Sequence, residues 1–68
     1  MSYFQSIVYW PRGTHTFKSD ITVDLHSTQE EAECVCELLL TQGQNIKFFG
    51  EEPEVVFPVW TTVKEVKE

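Results

Sequence analysis

Apolar and polar positions alternate along the first third of the chain. Residues 3 to 10, YFQSIVYW, are rich in aromatic and β-branched types and run into Pro11, Arg12 and Gly13, which is strand followed by turn chemistry. Further on, Phe17, Ile21, Val23 and Leu25 fall on one side of an extended chain, with Lys18, Asp20, Thr22 and Asp24 on the other. That pattern predicts a half-buried strand over residues 17–25, hairpinned to the first.

The period then changes. In HSTQEEAE, Ser27 precedes Glu30 and Thr28 precedes Glu31 at capping-box spacing, so either hydroxyl can start a helix. Glu30, Glu31 and Glu33 also lie near the positive end of the helix dipole. Gly43 can supply the left-handed residue that ends the helix, which predicts a span of residues 28–42. On a helical wheel Ala32, Val35, Cys36 and Leu39 centre the apolar stripe and Leu38 and Leu40 flank it. Glu30, Glu33, Glu37 and Thr41 face water, with Cys34 among them.

After Gly43, NIKFFG reads as a third strand, broken by the acidic loop Gly50, Glu51, Glu52, Pro53, Glu54. EVVFPVWTTVKEV reads as a fourth, with either face able to point inward. Pro58 within it cannot donate to a ladder and marks an edge or a bulge. No repeat, low-complexity tract or linker interrupts the chain. The expected fold is α+β: a single domain over residues 1–68, in the order β-β-α-β-β, with one helix on one face of a small antiparallel sheet of about four strands.

Length and charge narrow the function classes. A chain of 68 residues buries only about 60% of its unfolded surface, so its core is marginal. Apolar residues at 41% and charged residues at 24% are those of a folded protein rather than a disordered one. The net charge of −6 repels phosphate backbones and anionic lipids, which argues against direct nucleic-acid or membrane binding. No basic segment leads into an apolar run at the N-terminus, and no apolar stretch approaches the roughly 18 residues of a membrane span. The expected location is cytoplasmic.

Cys34 and Cys36, one residue apart, cannot bridge each other without severe strain. On a helix they point about 200° apart, so they cannot hold one ion together. Neither a zinc spacing nor a C-x-x-C redox pair is present. Cys36 reads as a small core residue and Cys34 as a quiet surface thiol, in a reducing compartment. No metal and no cofactor is expected.

His15 and His26 occupy loop positions suited to proton transfer, with Asp24 two residues before His26. They support a small-ligand or enzyme reading only weakly, because no nucleophile, phosphate-loop, dinucleotide or metalloprotease motif accompanies them. The acids group on the helix (Glu30, Glu31, Glu33, Glu37), the loop (Glu51, Glu52, Glu54) and a strand (Asp20, Asp24). They read as a solvated surface. As an alternative they mimic a nucleic-acid backbone and inhibit a DNA- or RNA-handling protein.

The aromatics carry more information. Tyr3, Phe4, Tyr9, Trp10, Phe17, Phe48, Phe49, Phe57 and Trp60 are too many large rings for the one sheet face that a single helix can cover. In the first strand Phe4, Val8 and Trp10 fall on one side and Tyr3, Ile7 and Tyr9 on the other, so neither side is polar. An uncovered apolar sheet face marks an interaction site. Tyr3, Tyr9, Trp10 and Trp60 are the interface candidates, since Tyr and Trp are favoured at interfaces. The expected role is that of a non-enzymatic, regulatory protein that binds protein, first of all itself as a homodimer, through an aromatic sheet face or edge. In size and acidity the chain resembles the short accessory proteins common in phage and bacterial genomes, and no motif ties it to a named family.

Overall fold

A computed structural model describes residues 2–14, 20–47, 50 and 52–67. The aromatic run forms β1 (Ser2–Tyr9) and the alternating segment forms β2 (Ile21–His26). Phe17 and Lys18, expected at the start of β2, lie outside the described residues. Between the strands, Gly13 takes φ +87, a backbone region open to glycine. The Thr14 amide and hydroxyl both donate to the Pro11 carbonyl, at 3.1 and 2.6 Å, which closes the expected turn.

The helix α1 (Gln29–Gln42) forms where capping and periodicity place it. Thr28 is the cap: its backbone is extended, and its hydroxyl accepts the Glu31 N–H at 3.2 Å. That satisfies one of the donors a helix start leaves open. At the other end Gly43 has φ +69, and its N–H donates to the Leu39 carbonyl at 2.9 Å. A Cβ at Gly43 would stand 2.8 Å from both Val55 Cγ1 and the Val56 carbonyl oxygen. Only glycine lets the next strand begin at once against its neighbour.

That neighbour belongs to a small hairpin of β3 (Gln44–Ile46) and β4 (Glu54–Val56). The last strand is β5 (Trp60–Lys67). The segment expected as one fourth strand therefore divides in two, and Pro58 explains the break. Lacking an N–H, it cannot continue a ladder. Buried Pro58 sits between β4 and β5, and Val59 resumes pairing by donating its N–H to the Tyr9 carbonyl at 2.7 Å. Phe48 and Phe49 of the expected third strand lie outside the described residues.

The architecture is α+β, with a three-stranded antiparallel sheet in the order β2-β1-β5, a two-stranded sheet β3-β4, and one helix. β1 is central: Tyr9 lies between Ile21 and Trp60, Ile7 between Val23 and Thr62, and Gln5 between Leu25 and Lys64. Helix α1 touches all three strands. Where it meets the sheet the residues are small: Ala32 and Cys36 on the helix, Ser6 and Val8 on β1. Small side chains let backbones approach closely, but they bury little apolar area, and burial stabilises at only about 25 cal/mol per Å².

Candidate functional site

Side chains of directly paired residues in an antiparallel sheet project to the same face. The face beneath α1 therefore carries Phe4, Ser6 and Val8 from β1, Thr22, Asp24 and His26 from β2, and Thr61, Val63, Glu65 and Lys67 from β5. Ser6 and Val8 are buried there. The opposite face carries Tyr3, Gln5, Ile7 and Tyr9, then Ile21, Val23 and Leu25, then Trp60, Thr62, Lys64 and Val66. This second face is apolar in all three strands, and Lys64 is its one charged side chain among the described residues. No described element covers it: Ile21, Val23, Leu25 and Trp60 are 45%, 50%, 62% and 57% exposed. At one end the rings of Tyr9 and Trp60 pack with centroids 4.8 Å apart at a 33° tilt, close enough for the rings to interact.

Of the interface candidates, Tyr3, Tyr9 and Trp60 lie on this bare face. Trp10 does not, and its assignment is corrected. It turns to the helix side, is 5% exposed, and donates its indole N–H to Thr22 Oγ1 at 3.0 Å. The parity of β1 sets this, because Trp10 follows Ser6 and Val8 rather than Tyr9. Ile21, Val23 and Leu25 are the members of the site that sequence reasoning missed as surface residues. Their alternation implies a core-facing side, whereas the polar side of β2 is the one beneath the helix. No local signal shows this. The expected stripe includes Val35 and Leu39 with Leu38 and Leu40 beside it, yet in the structure only the small Ala32 and Cys36 of α1 are buried, and Leu38 and Leu40 are 48% and 47% exposed.

The other candidates are placed as follows. His15 lies outside the described residues. His26 Nε2 shares a hydrogen bond of 2.9 Å with Ser6 Oγ, and Asp24 lies directly opposite Ser6. A hydroxyl, an imidazole and a carboxylate are thus neighbours, but Ser6 is 0% exposed. A nucleophile must meet its substrate. Under α1 this hydroxyl meets none, so the bond reads as a tie between β1 and β2. Cys34 is exposed and Cys36 buried, both as free thiols. The Cys36 thiol lies 3.9 Å from the Thr62 carbonyl oxygen.

Glu30, Glu33 and Glu37 are exposed along α1, while Glu52 and Glu54 are exposed in the hairpin region beyond Gly43. Glu51 is outside the described residues. A groove of about 440 Å³ runs between α1 and β5, lined by Glu33, Cys36, Glu37 and Leu40 on one wall and Thr61, Thr62 and Val63 on the other. Among the described residues no group of His, Cys, Asp and Glu is arranged to hold a metal ion, and no helix is long and apolar enough to cross a membrane. Comparison with protein-family models, with curated proteins and with solved structures found no match.

Proposed function

We propose that this is a non-enzymatic protein of the cytoplasm that regulates by binding protein, and that its contact surface is the bare face of the β2-β1-β5 sheet. The observation that carries this reading is the inverted polarity of that sheet. Its open face is lined by Tyr3, Ile7, Tyr9, Ile21, Val23, Leu25, Trp60 and Val66, while the covered face is mostly polar. A contiguous apolar surface of this kind is costly to leave in water and serves as an interface. The two free thiols suit a reducing compartment.

Replacing Val23 with a photo-reactive phenylalanine analogue in the native cell tests the reading, with the same analogue at Glu31, on the exposed side of α1, as control. Protein adducts are expected from position 23 and none from position 31. Absence of adducts at 23, or equal yields at both positions, overturns it.

A further inference from the structure

We infer that the occupant of the bare face is a second copy of this chain, packed face to face about a two-fold axis near Ile7; this rests on the reading of that face as a protein-binding surface. Area is the first reason. The chain exposes 5254 Å² for a mass of 7.9 kDa, where a compact monomer of that mass exposes about 4,400 Å². The excess, about 850 Å², is close to the roughly 800 Å² that one partner contributes to a standard interface. The molecule is also elongated and thin. Its extents are 44 × 24 × 16 Å, with a radius of gyration of 13.1 Å against about 11 Å for a compact chain of this length. The long axis accounts for the larger radius, and the 16 Å dimension is little more than one helix on one sheet, which leaves the other sheet face without a layer.

Charge selects the partner. Among the described residues no acid lies on the bare face. Glu30, Glu31, Glu33 and Glu37 are on α1, Glu52 and Glu54 are by the β3-β4 hairpin, and Asp24 and Glu65 are on the covered side of the sheet. Asp20 is in the turn before β2, where it accepts the Gly13 N–H. On the bare face Lys64 stands at the β5 margin. Two copies meeting by this face keep their like charges on the outside. A partner recognised by charge would find almost nothing here to pair with. Two sheets stacked about 10 Å apart bury both open faces at once, and an isologous contact needs only one patch that complements itself. The product has four layers, helix, sheet, sheet and helix, with Tyr9 and Trp60 as aromatic anchors. The β5 edge offers a poorer contact, because Lys64, Glu65 and Lys67 guard its outer half.

The test is sedimentation equilibrium of the full chain over a wide concentration range, with anilinonaphthalene sulfonate fluorescence as a probe of open apolar surface and far-ultraviolet dichroism as a check on folding. Twice the chain mass is expected, falling to one chain mass in both Val23→Asp and Trp60→Asp with the fold retained. Trp60→Asp remaining dimeric while Val23→Asp dissociates would overturn the face-to-face arrangement in favour of β2 edge pairing. A wild-type monomer that binds the dye, with binding lost in Val23→Asp, would overturn the second copy and leave the face open for a different protein. A monomer that binds no dye would overturn both readings. Should the aspartate variants unfold, Val23→Thr and Trp60→Gln are each expected to weaken association about tenfold, about 1.4 kcal/mol; unchanged association in both would refute the proposal.

Discussion

The covered and open faces of the β2-β1-β5 sheet come from the same strands and divide their side chains in the reverse of the common order. An antiparallel sheet with one helical layer ordinarily turns its apolar side to the helix and its polar side to water. Here the side under α1 presents Ser6, Thr22, Thr61 and Glu65 around Val8, while the open side presents Ile7, Tyr9, Val23, Leu25 and Trp60. The difference lies in how each face is filled. Small residues, Ala32, Cys36 and Ser6, meet at the helix and fix its distance from the sheet. Apart from Phe4 and Trp10, the large ones of β1 and β2 and Trp60 of β5 are on the open side.

The two tryptophans give the sharpest contrast. Trp10→Ala empties a buried site and leaves Thr22 without its indole donor, and it is expected to cost about 3–5 kcal/mol. In a domain whose whole stability is about 5 kcal/mol or a little more, that is enough to unfold much of the population. Trp60→Ala on the open side is expected to cost less than about 1 kcal/mol in the separated chain. Urea denaturation at low protein concentration measures both, and equal losses would break the distinction between the faces. The same comparison with valines is smaller. Val8→Ala, at 1% exposure, should cost about 2 kcal/mol, and Val23→Ala less than half as much by the same assay. Ser6→Ala probes the polar character of the covered side. It removes the bond to His26 and should lower stability by about 1 kcal/mol in thermal denaturation, since the half-buried imidazole can still turn to water.

Much of the fold is legible in local chemistry. Thr28 with Glu31 marks the helix start, Gly43 its end, Pro11 to Gly13 the turn, and Cys36 the buried thiol, because each of these depends on residues close in sequence. That some large rings must lie on a second sheet face is legible from their number. The parity of β1 does not say that Tyr3 and Tyr9 rather than Trp10 are the ones there, and either face of the last strand could have carried Trp60. What escapes local reading depends on distant pairing. Whether the Ile21, Val23, Leu25 side of β2 meets the helix is decided by which side of β1 carries Ser6 and Val8, and by how little α1 can shield. Trp10 is misassigned for the same reason. The division of the last strand at Pro58 has a local cause, but the two partners it separates, β3 and β1, are set by tertiary structure.

The break at Pro58 also constrains how this gene can change in length. Val59 and Trp60 lock into Tyr9 immediately after the proline, so no slack remains to absorb a lost codon there. Removing Val59 would shift β5 by one position and exchange its sides. Trp60 and Val66 would turn beneath α1, and Thr61, Val63 and Glu65 would turn outward. Point substitutions at Val59 leave that phase intact, whereas a deletion of the same residue rewrites an entire strand.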